Sequence, residues 1–181
     1  MQLGPLAMMK LLLFAAIFLQ ASPQPVSIHI QNPSFEQGTT GWQWSGEPSR
    51  PFQPAKETSP TPGFPFPPAP DGSMVAVAGY GATFFQDIAI PARPGGIYTL
   101  KFFVANYFYW YPGQYIASVT LDSFYEKPLC SASGHALGDF TEITLLCPVR
   151  DQPATNLRIS FAGNRWSSMF DNASLTFTER E

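Results

Sequence analysis

Hydrophobic and polar positions alternate most clearly over residues 98–105 and 115–122. In the first stretch Tyr98, Leu100, Phe102 and Val104 occupy one set of alternate positions, and Thr99, Lys101, Phe103 and Ala105 occupy the other. Period-two alternation that is rich in β-branched and aromatic residues predicts strands. Pro112-Gly113 lies between the two stretches and is typical of a turn, so the pattern predicts a hairpin.

The connection between these two strands carries five aromatic residues in succession: Tyr107, Phe108, Tyr109, Trp110 and Tyr111. Five neighbouring rings cannot all face one core. We therefore expect some of them to stand at the mouth of the fold, where an exposed apolar cluster usually marks a binding surface. The alternative is that they cap the end of the core.

Further strands are predicted over residues 26–30, 74–78, 83–90, 140–147, 156–162 and 171–178. Residues 47–70 are dense in proline, which lacks the N–H that a sheet needs, and this predicts loop or polyproline II rather than sheet. A stretch this long is either a surface connection or a lid, to which Phe52, Phe64 and Phe66 would give an apolar underside. Short strands separated by turn residues predict an all-β fold, a jelly-roll β-sandwich of two antiparallel sheets.

The N-terminus has the composition of a secretory signal. Lys10 supplies a positive charge, residues 11–19 form a short apolar run, and residues 20–22 provide a processing site. We predict a cleaved signal peptide over residues 1–21, a jelly-roll domain over residues 26–178, and a secreted protein. Met8 or Met9 is an alternative start, and an uncleaved anchor is the alternative to processing.

Charge and composition narrow the classes of partner. The net charge of −3 and the low sequence pI give no basic field, so a nucleic-acid partner is not expected. Aromatic residues make up 15% and charged residues 13%, a balance that favours an all-β domain or one that handles an apolar or sugar-like ligand. No membrane association is expected once the leader is removed. Oligomeric state is not specified, and a homodimer is one option.

Export makes the two cysteines interpretable. Cys130 and Cys147 flank a turn-like segment, and we expect one disulfide between neighbouring strands, contributing about 3 kcal/mol through loop closure. His29 and His135 are poorly spaced for a zinc site. Asn172, followed by Ala173 and Ser174, is the usable glycosylation sequon.

Several motifs occur in an order that resembles a known superfamily. They are Asn32-Pro33-Ser34-Phe35-Glu36, Gly41-Trp42, Pro70-Asp71-Gly72, Gln86 before Ile88 and Ile90, residues 95–100, and residues 170–175. Together they resemble the galactose-binding-like jelly-roll superfamily, which includes carbohydrate-binding modules of families 4, 9 and 22. The ordered set covers residues 26–177 and is more specific for fold than for function.

The resemblance implies a structural calcium ion where the first and last strands meet. Its ligands would be Glu36, the carbonyl of Ser34 and Asp171, with Asp71 a weaker third carboxylate. Calcium prefers several oxygen ligands that include carboxylates. The alternative is that Glu36 and Asp171 only accept backbone N–H groups.

If the alternate positions of the strands form one outer face, Lys101, Phe103, Arg158 and Ser160 share a surface, together with Phe85 and Asp87. In family 4-like modules such a face holds the ligand. The alternative is an ordinary solvated face.

Two functional classes follow from the resemblance. The fold is similar to that of the cyanobacterial indole-terpenoid cyclases and of secreted fungal hetero-Diels–Alderases that act on tropolone sesquiterpenoids. A cyclase without a redox cofactor would fold an apolar intermediate within an aromatic cleft and polarise it. Its expected walls are Phe85, Phe103, Tyr107, Tyr109, Trp110 and Trp166, and its expected polarising groups are Lys101, Arg158 and a tyrosine hydroxyl such as that of Tyr109.

The second class is a secreted, non-catalytic carbohydrate-binding module. In that case Tyr109, Trp110 and Trp166 would be stacking platforms for an oligosaccharide. Such modules normally travel attached to a catalytic domain, and we expect no room for one in this chain. This expectation favours the cyclase. A structural protein without a ligand is the third alternative.

Overall fold

A computed structural model describes residues 23–46, 52–54, 66–79, 81–90, 94–107, 111–121, 127–149, 154–164 and 166–180, with the backbone alone for residues 52–54. The predicted signal peptide lies outside these residues, as do Phe64, Tyr109 and Trp110. In the part of the chain that is described, no helix is long and apolar enough to span a membrane.

The described residues form eleven strands. They are β1 (Val26–Ile28), β2 (Gln43–Ser45), β3 (Phe52–Pro54), β4 (Met74–Ala78), β5 (Thr83–Ile88), β6 (Gly96–Asn106), β7 (Gln114–Leu121), β8 (Cys130–His135), β9 (Thr141–Pro148), β10 (Leu157–Asn164) and β11 (Ser168–Glu179). The first sheet has the order β3-β4-β11-β6-β9, with β1 also paired to β11, and the second has the order β2-β5-β10-β7-β8. Neighbouring strands are antiparallel throughout, which confirms the prediction of an all-β fold with two antiparallel sheets.

The core lies between the two sheets and is built from the predicted alternation. Tyr98, Leu100, Phe102 and Val104 of β6 are all buried, while Lys101 is exposed. Phe161 packs at its centre, with its ring centroid 5.0 Å from that of Phe102. Burial of each large apolar side chain contributes about 1.5–3 kcal/mol, so these inner faces supply most of the stabilisation.

The predicted hairpin between residues 98–105 and 115–122 is wrong. β6 belongs to the first sheet and β7 to the second, so the connection between them crosses the end of the sandwich. Their apolar faces meet across the core instead of lying side by side, as the ring centroids of Phe102 and Tyr115 show at 6.2 Å. A Pro-Gly turn predicts that the chain reverses, but both strands have one apolar face and can bury it equally well from opposite sheets.

Two further segments differ from the prediction. Phe52–Pro54 forms β3 inside the proline-dense stretch, paired with β4 at the edge of the first sheet, where a missing proline N–H costs least. β8 occupies the segment between the cysteines that was expected to be a turn, and its residues alternate between half-buried and exposed. Its small serine, alanine and glycine residues have little strand propensity. The strand is stabilised instead by its hydrogen-bonded pairing with β7.

The disulfide between Cys130 and Cys147 is confirmed, with a Cα–Cα distance of 5.1 Å. It joins β8 to β9, which are successive in the chain but form the outermost strands of opposite sheets. The bond therefore ties the two sheets together along one side of the sandwich.

Candidate functional site

One end of the sandwich, where β6 finishes and β7 begins, carries a pair of exposed aromatic rings. The rings of Tyr111 and Trp166 are stacked, with centroids 4.4 Å apart and planes inclined by 14°. Their side chains are 52% and 41% exposed, so this pair is a surface platform rather than part of the core. We call this region the aromatic end.

The side chain of Asn106 fixes the backbone beneath that platform. Its Nδ2 atom donates to the carbonyl of Tyr111 at 2.8 Å, and the N–H of Gly113 donates to its Oδ1 atom at 3.0 Å. Asn106 is itself buried, and a buried amide with both ends bonded holds its partners in one geometry. The position of Tyr111 is therefore set by the fold.

A depression of about 260 Å³ lies beside the platform, on the second sheet. It is lined by Gln114, Tyr115, Ile116, Ser133, Gly134, His135 and Asn164. Gln114 stands opposite both Asn164 and His135 in the sheet register, and the Asn164 Nδ2 atom donates to Gln114 Oε1 at 3.2 Å. The carbonyl of Asn164 accepts the N–H of Trp166 at 2.9 Å, which connects the depression to the aromatic pair.

Tyr115 is one of the residues that line this depression, and its hydroxyl group lies close to Gly134. Its ring is buried, and burial raises the pKa of its hydroxyl above the ordinary tyrosine value. Gly134 leaves room for that group, since a Cβ atom at position 134 would lie 3.0 Å from Tyr115 Oη. The phenol therefore stays protonated near neutral pH and can act as a hydrogen-bond donor. The sequence pattern predicts only that Tyr115 lies in a strand, and no site role was predicted for it.

Tyr107 belongs to a separate cluster on the outer face of the first sheet. Its ring is buried and lies 5.0 Å from that of Phe66, beside Val77 and Met169. The end of the proline-dense segment therefore covers this face, and Tyr107 is a packing residue there rather than a wall of the depression. Of the five successive aromatic residues, Tyr107 is buried and Tyr111 is exposed, while the three between them lie outside the described residues.

The surface expected to unite Lys101 and Phe103 with Arg158 and Phe85 does not exist. The first two residues are in β6 of the first sheet, and the other two are in β10 and β5 of the second. Their outward positions lie on opposite sides of the sandwich, because the predicted hairpin that would have joined the two strands in one sheet is absent. Lys101 instead forms an exposed ion pair with Glu142, at 3.3 Å.

Arg158 forms an ordered group on the outer face of the second sheet. Its Nε and Nη2 atoms donate to the two carboxylate oxygens of Asp87, each at 2.7 Å, and its Cζ atom lies 4.0 Å from the Phe85 ring centroid. Ser118 and Ser160 share a hydrogen bond of 2.7 Å in the neighbouring row. Arg158 is six residues from Asn164 along β10, or about 20 Å, so it does not reach the aromatic end. The catalytic roles predicted for Lys101 and Arg158 stay predictions.

Three carboxylates meet where the edge of β11 changes partner. β11 pairs with β4 through residues 168–170 and with β1 through residues 175–177, and its register shifts between Asp171 and Ser174. The buried carboxylate of Asp171 accepts the N–H groups of Asp71 at 3.0 Å and of Asn172 at 2.7 Å. Glu36 accepts the N–H groups of Ser73 and Met74. We call Glu36, Asp71 and Asp171 the acidic junction.

Burial raises the pKa of Asp171 to about 7. The two backbone N–H bonds lower this pKa, but the nearby charges of Asp71 and Glu36 raise it further. Burial therefore outweighs the two backbone donors, and the carboxyl group of Asp171 keeps its proton more tightly than an exposed aspartate does.

The residue types of the acidic junction suit calcium, but their arrangement suits it less well. Its carboxylates are suitable ligands, and a divalent cation would relieve their mutual repulsion. Within the described ranges, however, no group of three or more His, Cys, Asp or Glu side chains is arranged to hold a metal ion. The carboxylates of Glu36 and Asp171 accept backbone N–H groups, which was the stated alternative to metal binding.

Comparison with known proteins identifies the fold. No family model matches the sequence, and no curated protein matches it significantly. Among solved structures, a Stig cyclase, Fisc from Fischerella sp. TAU in complex with an indole compound, is 20% identical with a TM-score of 0.66. The match covers 87% of this chain and 100% of the cyclase.

Carbohydrate-binding domains share the same architecture. The CBM22-1 xylan-binding domain of Paenibacillus barcinonensis Xyn10C is 11% identical with a TM-score of 0.58, over 88% of this chain and 98% of that domain. TmCBM61, solved with β-1,4-galactotriose, is 17% identical with a TM-score of 0.54, over 82% of this chain and 97% of that one. The chain shares its two-sheet fold with these cyclase and carbohydrate-binding structures.

Proposed function

We propose that this protein is a cyclase that closes a ring in an apolar natural-product intermediate by a hetero-Diels–Alder type reaction at the aromatic end. The observation that carries the proposal is the exposed Tyr111–Trp166 pair beside a depression that Tyr115 helps to line. A planar conjugated substrate can stack on such a platform while a hydrogen-bond donor meets its carbonyl group.

The protein forms no covalent bond to the substrate in this reaction. A heterodiene of the type C=C–C=O combines with an alkene, and one C–C and one C–O bond form as three π bonds become one. No proton or leaving group is exchanged with the protein. Catalysis then consists of holding the two partners in contact and of a hydrogen bond that draws electron density towards the carbonyl oxygen.

The residues of the aromatic end divide naturally between these tasks. Tyr111 and Trp166 provide the stacking surface, and Tyr115 donates to the carbonyl oxygen. The side-chain amides of Gln114 and Asn164, which bond each other, orient the polar edge of the substrate. The likeness in fold to the Stig cyclase, over the whole of that chain, supports this function.

The test uses an o-quinone methide, generated in situ, and a sesquiterpene alkene as model partners. We expect the protein to accelerate adduct formation and to give one enantiomer in excess, measured by chiral chromatography. Tyr115→Phe removes the donor and should slow the reaction about 10- to 100-fold, while Trp166→Ala should weaken substrate binding. Leu146→Ala, at an exposed position on β9, is the matched control and should be unchanged. A racemic adduct at the uncatalysed rate would contradict the proposal.

A second candidate function, oligosaccharide binding, uses the same site. The exposure of both rings favours it, because a pyranose ring stacks on an open aromatic surface while amides and hydroxyls bond its hydroxyl groups. Isothermal titration with galacto- and xylo-oligosaccharides tests it. Saturable binding that Trp166→Ala abolishes, without any turnover of the model partners, would favour a binding module over the cyclase.

We also propose a structural calcium ion at the acidic junction, held by Glu36, Asp171 and the carbonyl of Ser34. The closeness of Glu36 and Asp71 to Asp171 supports it, since a divalent cation would offset the repulsion between these carboxylates. When bound, the ion would supply charge compensation, and it would stabilise the contact between the N-terminal segment and β11.

We also propose that Asn172 is glycosylated and that the protein is secreted. Mass spectrometry of the protein recovered from the culture medium tests both.

A further inference from the structure

A second cavity, of about 430 Å³, lies at the other end of β6 from the aromatic end. It is lined by Val26, Ser27, Ile28, His29, Ile88, Ala89, Ile90, Tyr98 and Phe177. Tyr98 is eight residues from Asn106 along β6, so about 25 Å separates this cavity from the Tyr111–Trp166 platform. The two regions are independent sites.

The walls of this cavity are built into the fold. One wall is β1, which pairs with β11 from Val26, opposite Phe177, to Ile28. The other wall is the end of β5 and the two residues after it. A buried amide fixes the spacing between them: Gln86 Oε1 accepts the N–H of Gln31 at 2.8 Å, and Gln86 Nε2 donates to the carbonyls of Gln31 and Gly41, each at 3.0 Å.

The floor consists of two packed aromatic rings. The centroids of Tyr98 and Phe177 are 4.9 Å apart, and both residues are almost completely buried. Gly96 makes room for this arrangement, because a Cβ atom there would fall within 2.0 Å of the Phe177 ring. A glycine that accommodates a ring at the floor, and a buried amide that spaces the walls, describe a preformed pocket.

The lining determines what the cavity can take. Among the described residues that line it there is no Asp, Glu, Lys or Arg, so these residues offer a charged ligand no ion pair in exchange for its hydration. Ser27 and His29 are lining residues with polar side chains, and both residues are exposed. A cavity of about 430 Å³ has the size of a small-molecule site. It is too small for an α-helix, which with its side chains is about 10 Å wide.

We infer that this cavity is a second ligand site, which binds an uncharged, mainly apolar, ring-containing small molecule of about 15–20 non-hydrogen atoms. The apolar body lies over Tyr98 and Phe177, and one hydrogen-bonding group faces His29. This inference does not depend on the cyclase proposal, because no residue of the aromatic end takes part.

The test uses N-phenyl-1-naphthylamine, a neutral apolar probe whose fluorescence rises on transfer from water to an apolar site. We expect saturable 1:1 binding to the purified protein, and nuclear Overhauser effects between the probe and the ring protons of Tyr98 and Phe177. Ile90→Trp, at a half-buried wall position, should fill the cavity and weaken binding at least 10-fold. Trp166→Ala, the control at the aromatic end, should leave probe affinity unchanged.

Two results would overturn the inference. These are an absence of saturable binding, and Overhauser effects confined to Tyr111 and Trp166. The measurement on the unaltered protein decides the matter if Ile90→Trp does not fold. If the protein does not accelerate the reaction of the model partners, the probe can still bind to the cavity. The cyclase proposal and the second ligand site can therefore be contradicted independently.

Discussion

Asp71 donates its backbone N–H to the carboxylate of Asp171 at 3.0 Å, although one hundred residues of sequence separate them. The contact closes the acidic junction, where the loop before β4 meets the register shift in β11. Asp171 is completely buried there, and its neighbours on this side include Asp71 itself and Glu36. The junction therefore couples folding to the protonation of one carboxyl group.

Stability in calcium-free buffer should fall as the pH rises from about 4 to 7. Because the pKa of Asp171 is about 7 when folded and near 3.8 when unfolded, the folded chain binds the proton more tightly over this interval. The contribution is fully present below the unfolded pKa and is lost as pH rises through the folded one; it amounts to about 4 kcal/mol at most. Urea unfolding of the protein and of Asp171→Asn, at pH 4.5 to 8 with a chelator, measures it. Parallel profiles for the two proteins would contradict the assignment.

Calcium should raise the melting temperature, and more so at pH 8 than at pH 5, because a protonated Asp171 is a poor ligand. Glu36→Gln and Asp171→Asn should each reduce the rise, and magnesium should have a smaller effect. Differential scanning calorimetry with calcium and with chelator tests this. An equal shift in all three proteins would show that the ion acts elsewhere.

Gly72→Ala should be strongly destabilising, and Gly81→Ala provides a matched control. Both glycines have a positive φ, of 68° and 73°, so alanine adds similar backbone strain at each position. Only at position 72 would the new Cβ atom meet a neighbour, the Glu36 carboxylate carbon at 2.3 Å. We expect a cost of about 1 kcal/mol at Gly81 and at least twice that at Gly72, from urea midpoints. Equal costs would mean that Glu36 moves aside freely.

Loss of the disulfide should destabilise the fold without changing it. The bond closes a 17-residue separation, and loop-closure entropy gives a contribution of about 3 kcal/mol. The paired variant Cys130→Ala with Cys147→Ala should unfold at a correspondingly lower urea concentration, with a similar far-ultraviolet circular dichroism spectrum. Addition of a reducing agent to the unaltered protein should produce the same shift.

Aromatic residues of the core and of the surface should respond differently to truncation. Phe161 is completely buried among the rings of Trp42, Phe84, Phe102 and Phe170, and Phe161→Ala should cost about 3–5 kcal/mol. Trp166 mainly stacks on Tyr111 at the surface, so Trp166→Ala should cost about 1 kcal/mol or less. A cost at Trp166 equal to that at Phe161 would show that the platform is structural.

The strands were predictable where alternation is strong, and their partners were not. β4 was predicted residue for residue, and the buried set of β6 follows from the period-two pattern. Pairing depends on contacts between residues far apart in sequence, and the apolar faces of β6 and β7 can meet across a core or share one sheet. Because of that ambiguity, Lys101 and Arg158 were predicted to share one surface. The structure places them on opposite sides of the sandwich.

Site prediction was limited for the same reason. Trp166 was identified from its residue type and lies close in sequence to Asn164, but its partner Tyr111 and the amide of Gln114 belong to a segment about 50 residues earlier. Tyr115 belongs to an apolar alternation, and nothing in that pattern marks its hydroxyl group as a donor. Gly134, which admits that hydroxyl, was a local signal that could have been noticed.

The disulfide has a mechanical consequence for the whole sandwich. It fastens the sheets at the side where β8 and β9 lie, whereas the cavity beside β1 opens at the far side. Among the described residues the two sheets are therefore joined covalently on one side alone, and on the side of the cavity their spacing depends on hydrogen bonds such as those of Gln86.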